Sequence, residues 1–124
     1  MSIIMITNDN LMQLPLIDDE TLAELQDIME DGFADLVNRF LDDLPVQLEY
    51  LRCAVQEKAA DDIYRVAHKL KTSCGNLGAM RLTEWVQQLE QAGRLNTLNG
   101  VAEMLEETQA VAEQTTIMLR AQAH

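Results

Sequence analysis

The chain carries two histidines, His68 and the terminal His124, and two cysteines, Cys53 and Cys74. An imidazole titrates near pH 6.5, so at neutral pH it offers a lone pair able to attack phosphorus. His68 stands three residues before Lys71, inside a window, residues 63–83, that holds four bases and no acid. The flanks are the reverse, with net charges of −12 over residues 1–62 and −4 over residues 84–124. A cation beside a nucleophile in an acid-free stretch suits a bound phosphate; a chance gap between acids would look the same. On a helical wheel with Leu70 toward the core, Ile63, Val66, Cys74 and Leu77 fall within about 40° of it and His68 roughly 160° away, facing solvent. Tyr64, Lys71, Thr72 and Gly75 share its face at i−4, i+3, i+4 and i+7. A glycine inside a helix costs up to about 1 kcal/mol relative to alanine. Gly75 therefore marks either a face that something approaches closely or a place where another helix of the same fold needs room. These residues alone also describe an ordinary surface histidine.

Other chemistries find fewer residues. No paired Cys/His spacing suggests zinc, and no Glu-x-x-His pair exists to build a carboxylate-bridged metal site, so no metal is expected. No glycine-rich phosphate loop precedes a helix, and no cofactor site is read from the sequence. Two cysteines in a chain able to build its own core make no disulfide framework; both are read as reduced thiols of a cytoplasmic protein. The seven methionines fall mostly on apolar stripes and are read as core filler.

The elements that must position His68 follow from composition and periodicity. With 124 residues, 48% hydrophobic and 24% charged, the chain fits one domain. Five Gly, two Pro and 4% aromatics are too few for a β sandwich, and the abundance of Leu, Ala, Glu, Gln and Met points to an all-α fold. A net charge of −12 repels phosphate backbones and anionic lipid, which argues against nucleic-acid and membrane partners. Ile3 to Ile6 is too short for a spanning helix and lacks a basic leader and a cleavage site.

Asp18 and Asp19 cap a helix with Leu22, Leu25, Ile28 and Met29 on one stripe, expected to stop near Gly32. Phe33, Leu36, Val37, Phe40, Leu41, Leu44, Leu48, Leu51 and Val55 mark a long second helix that Pro45 should bend or interrupt. The His68 helix follows and closes at Gly78. Leu82, Trp85, Val86 and Leu89 mark a fourth helix ending near Gly93. A fifth is capped by Thr97 or Asn99, with Val101, Met104, Leu105, Thr108, Val111, Ala112, Thr115 and Met118 on its stripe. The expected architecture is an antiparallel four-helix bundle over residues 18–124, with the shorter first helix covering one end. Residues 1–17 form a separate N-terminal segment with a short docking helix at 8–14.

The string Val66-Ala67-His68-Lys69-Leu70-Lys71-Thr72-Ser73-Cys74-Gly75-Asn76-Leu77-Gly78-Ala79, with Leu82 after it, resembles the signature of histidine-containing phosphotransfer (HPt) domains. That pattern is a His, a Leu two residues on, a Lys at three, usually a Gly at four, then small residues, Leu-Gly-Ala and a further Leu. The departure here is Thr72, which adds a β-branched side chain where the family usually has Gly. The helix order on both sides agrees with the family's four-helix bundle.

The resemblance implies that His68 is the phosphoacceptor and Lys71 the cation beside the phosphoryl group. It implies that Glu90, otherwise a solvated surface acid, hydrogen-bonds the other imidazole nitrogen, and that Arg94 reaches the same region. Tyr64, Arg65, Lys69, Thr72, Gly75 and Arg94 would contact the partner. Partners would be receiver domains of response regulators, a hybrid sensor histidine kinase, or both. The chain would act as a monomeric relay carrier without autokinase activity or a cofactor of its own, the receiver bringing Mg²⁺. The alternative is a non-catalytic helical adaptor that docks a receiver or kinase without accepting phosphate; a metal-binding bundle is a weaker one.

Overall fold

Asp18 starts the first helix by accepting hydrogen bonds from the Glu20 amide at 3.2 Å and the Thr21 hydroxyl at 2.7 Å, satisfying a donor that the helix itself cannot. The computed structural model describes residues 14–123, and among these it has five helices. They are α1 (Asp19–Met29), α2 (Gly32–Gln56), α3 (Ala60–Asn76), α4 (Met80–Leu95) and α5 (Val101–Gln122). Short connectors turn each helix back on its predecessor. α2 packs on α3, α3 most extensively on α4, α4 on α5, and α5 on α2, which closes the four-helix ring; α1 lies against α2. The expected docking helix at 8–14 lies, but for Leu14, outside the described residues.

The core is built from the stripes read in the sequence, including Val37, Leu51, Ile63, Leu70, Leu82, Val86 and Leu89, each 2% exposed or less. It also reaches back to Ile17, with Leu14 and Leu16 packed against it. Thr108 and Thr115 are fully buried, and their hydroxyls donate to the Met104 and Val111 carbonyls at 2.6 and 2.7 Å. No polar atom is thereby left unpaired.

Several boundaries differ from expectation. α1 ends at Met29 with Glu30 at φ 48°, while Gly32 opens α2. Ile28 is 78% exposed and Met29 36%, because the contacts that anchor α1, at Asp18, Thr21 and Leu22, lie in its first turns. α2 is not interrupted at Pro45, whose ring is exposed; proline removes one donor, the one to the Leu41 carbonyl, and the helix runs through it. α5 is preceded by Gly100 at φ 79°, with no side-chain cap from Thr97 or Asn99. On α5, Leu119 is fully buried and Met118 is 38% exposed, so the stripe ends one residue later than read.

Gly78 turns α3 into α4 at φ 73°, and a Cβ there would stand 3.0 Å from the Thr21 Cβ. Its carbonyl accepts the Asp18 amide at 2.8 Å, which pins the start of α1 to the end of the His68 helix. No helix among the described residues is long and apolar enough to cross a membrane.

Candidate functional site

α3 turns one face to the core through Ile63, Ala67, Leu70 and Cys74. A helix with that stripe must present the intervening residues outward, and the His68 side chain is 57% exposed. α4 supplies the opposing wall. Its buried stripe includes Glu90 at 7% exposure and Gly93, and Gly93 explains how a carboxylate comes to lie there. A Cβ on Gly93 would stand 2.6 Å from the Tyr64 amide nitrogen and 2.7 Å from the Ala60 carbonyl oxygen, closer than any methyl can approach backbone. Only a hydrogen at this position lets α4 press against α3, and Glu90, one turn earlier on the same seam, then reaches across to His68 and Lys71. Gly93 is interior to α4, which continues to Leu95 and ends at Asn96 in a left-handed conformation; it does not terminate the helix as its sequence position suggested.

The Glu90 carboxylate takes both partners. Oε2 accepts from His68 Nδ1–H at 2.5 Å and Oε1 from Lys71 Nζ at 2.7 Å. Burial pushes the Glu90 carboxyl up, but the hydrogen bonds from Lys71 and His68 and their charges outweigh it and hold the group below its ordinary value. An ionised carboxylate only accepts, so the ring proton sits on Nδ1 and the lone pair of the neutral ring on Nε2. Among the described residues nothing hydrogen-bonds Nε2. The Tyr64 ring stacks on the imidazole with centroids 5.7 Å apart and planes inclined by 20°. The chemical result is a neutral nucleophile with its free nitrogen outward and an anion behind it, ready to offset the positive charge that the ring acquires when Nε2 forms a bond.

The other expected contacts are distributed around this centre. Thr72 is exposed and its hydroxyl donates to the His68 carbonyl at 3.3 Å. Gly75 is exposed in the last turn of α3, and among the described residues a Cβ there would meet nothing within 4 Å, so none of the five helices needs the room. Lys69 and Arg94 are exposed, and among the described residues neither forms an ion pair. Cys74 is buried, its thiol pushed up to about 12 by desolvation, while Cys53 is exposed; both are free.

The acid-free window proves less cationic in space than in sequence. Arg65 ion-pairs with Asp62, and Arg81 donates two hydrogen bonds, 2.8 and 2.6 Å, to the Leu14 carbonyl. Lys71 is tied to Glu90. The acids that answer two of the four bases lie outside the window, one just before it and one on the next helix, where a linear charge count cannot see them. The Lys71–Glu90 pair and the Tyr64–His68 stack are the two features the sequence reading missed. The i, i+4 spacing of Tyr64 and His68 was the available signal for the second; the first depends on helix pairing.

Comparison with known proteins bears on the family and the fold. Residues 35–121 match the model of the Hpt domain family. Among solved structures, the histidine-containing phosphotransfer protein HptB of Pseudomonas aeruginosa is 28% identical, with a TM-score of 0.86 over 90% of this chain and 96% of that one. A rice protein described as a histidine-containing phosphotransfer protein is 22% identical with a TM-score of 0.70, over 88% of this chain and 86% of that one, and shares the fold. No curated protein sequence matches the chain.

Proposed function

The chain belongs to the Hpt domain family, and on that premise we propose that it is a phosphorelay carrier whose acceptor atom is His68 Nε2. The observation that carries the reading is the Glu90 carboxylate on Nδ1, which leaves an exposed imidazole with its lone pair directed outward. The donor is the aspartyl phosphate of a receiver domain. Nε2 attacks phosphorus in line, the N–P bond forms as the P–O bond to the aspartate breaks, and the electron pair of that bond leaves on the aspartate carboxylate. Nδ1 keeps its proton throughout. The ring becomes cationic on transfer, and Glu90, 2.5 Å from Nδ1, is the anion that stabilises it. A second receiver reverses the step.

Lys71 binds the same carboxylate and so stands beside the imidazole. Its ammonium has three donors, enough to hold Glu90 and still answer a phosphoryl oxygen. The surface a receiver would cover takes in Tyr64, Lys69, Thr72, Gly75 and Arg94, together with Arg65, which is paired with Asp62. On this reading the carrier is loaded by another protein and has no kinase activity of its own.

The test is to incubate the chain with a phosphorylated receiver and examine the adduct. An acid-labile, alkali-stable phosphoryl group that disappears in His68→Gln, with helix content unchanged by circular dichroism, is the expected result. Transfer at the wild-type level in His68→Gln removes His68 from the role. Binding of the receiver without any transfer would leave a docking adaptor.

A further inference from the structure

Glu90 fixes one edge of the imidazole, because Nδ1 lies off the Cβ–Cγ axis and rotation of the ring would break its hydrogen bond. A second restraint is the stack with Tyr64, one turn back on α3, at a centroid distance of 5.7 Å and an interplanar angle of 20°. Tyr64 is itself held at its backbone. Its amide nitrogen and Cα lie 2.6 and 3.1 Å from where a Gly93 Cβ would be, so the seam between α3 and α4 sets the point from which the tyrosine ring projects. The Tyr64 hydroxyl forms no hydrogen bond among the described residues, so the ring acts through its face. Edge and face together define one orientation, with Nε2 outward.

We infer that Tyr64 is a positioning residue for phosphoryl transfer: it holds the His68 ring in the attacking orientation, and its face stabilises the cationic ring that transfer produces. The inference rests on the carrier reading. Preorganisation of the nucleophile raises the rate because fewer ring orientations must be lost on the way to in-line attack. When Nε2 bonds to phosphorus and Nδ1 keeps its proton, the ring carries positive charge over an aromatic face, an arrangement that favours the product. Both effects belong to the phenyl ring of the side chain. Tyr64 thus acts on the chemistry, whereas a residue that merely touches a partner would act on binding.

The experiment uses two donors and a spectroscopic measurement on the full chain. Phosphoramidate, a small phosphodonor with no docking surface, and a phosphorylated receiver are each used to load wild type, Tyr64→Phe, Tyr64→Leu and Tyr64→Ala. Imidazole ¹⁵N chemical shifts report which nitrogen of His68 carries the proton. Phe is expected to load within about twofold of wild type from both donors. Leu, which keeps packing bulk without an aromatic face, and Ala are expected to load about fivefold more slowly from both, matching the loss of one aromatic pair, and to move proton occupancy away from Nδ1 alone.

Slow loading of Leu and Ala from the receiver with unchanged loading from phosphoramidate would make Tyr64 a docking residue and overturn the inference. So would a Phe variant as slow as Ala, or ¹⁵N shifts that do not move in Leu and Ala. If wild type takes phosphate from neither donor, it is the carrier reading that fails, and the ¹⁵N shifts still decide whether Tyr64 orients the ring.

Discussion

Gly93 and Gly75 lie on opposite sides of the same construction. At Gly93 the missing side chain is filled by the neighbouring helix, whose backbone would stand 2.6 Å from a Cβ; at Gly75, among the described residues, it is filled by nothing within 4 Å. The first glycine makes an internal seam, and the seam carries a buried carboxylate to His68. The second leaves an open surface about two turns along the same helical face from that histidine. A phosphoryl carrier needs both: a tight, dry side that fixes and balances the imidazole, and a bare side that a partner can approach. The lesson is that glycine in a helix reports close approach without saying what approaches, and only the neighbours decide between fold and function.

The largest effect follows from the seam. Gly93→Ala puts a methyl against the Tyr64 and Ala60 backbone, which cannot move aside as a side chain can, and overpacking of this kind costs about 1–3 kcal/mol. Thermal unfolding should show the loss, and the His68–Glu90 hydrogen bond should weaken with it as α4 is pushed away. Gly75→Ala is the control: it meets no atom of the described residues within 4 Å and gains helix propensity, so stability should stay level or rise by up to about 1 kcal/mol. Equal stability of the two variants would erase the difference between the sides.

Next in size is the effect on the bare side. Gly75→Leu should leave stability unchanged or slightly higher while weakening receiver binding about tenfold, because bulk is added where two surfaces must meet. Affinity measured by titration calorimetry, alongside a melting curve, reads the two quantities separately. Lower stability with unchanged affinity would move Gly75 from the open surface to the packing.

The two sides were unequally legible in the sequence. The face of α3 could be read because Ile63, Ala67, Leu70 and Cys74 repeat at helical spacing, and a 3.6-residue period fixes what lies opposite, His68 among it. The five-helix order was readable for the same reason. The seam was not. Gly93 looks like a helix terminator because terminators and close-packing positions both use glycine, and only α3's placement separates them. Lys71 looked like a free cation because its partner lies 19 residues away on another helix. Ile28 looked like core because periodicity reports which residues share a face and is silent on how far along a helix the neighbour extends. The motif pointed to His68; its electrostatic surroundings required the fold.

Glu90→Gln tests the seam's charge without changing its shape. The one amide oxygen can still accept from His68, but the amide NH2 then faces the Lys71 ammonium, donor against donor, and Lys71, partly exposed, must turn to water; the loss is about 1 kcal/mol at neutral pH. The Glu90 carboxyl is held below its ordinary 4.5, so the folded chain binds that proton less tightly than the unfolded chain. Its contribution is fully present above pH 4.5 and is lost as pH falls through the lower folded value. The stability gap between wild type and Glu90→Gln should therefore close as pH falls below 4.5. A gap that persists in acid would mean that Glu90 stabilises through packing alone.

The smallest expected effect probes the charge on the bare side, where the structure leaves less positive potential than the acid-free window suggested. With Arg65 and Arg81 engaged elsewhere and Lys71 balanced by Glu90, Lys69 is the unpaired base of the window among the described residues. An acid at Thr72, one turn past His68, would stand about 6 Å from the ring and meet the phosphoryl group through water, at about 0.7 kcal/mol per pair of unit charges. Thr72→Glu should thus lower phosphoryl occupancy some threefold more than Thr72→Gln, which has the same bulk and no charge. Because Thr72 is exposed, that difference should shrink as salt is raised past the point where the screening length falls below the separation. Loading both variants from one phosphorylated receiver at low and high salt measures it. Equal losses at both salt concentrations would make Thr72 a steric element of the docking face and leave the tight side, through Glu90 and Lys71, as the part of the site where charge governs the chemistry.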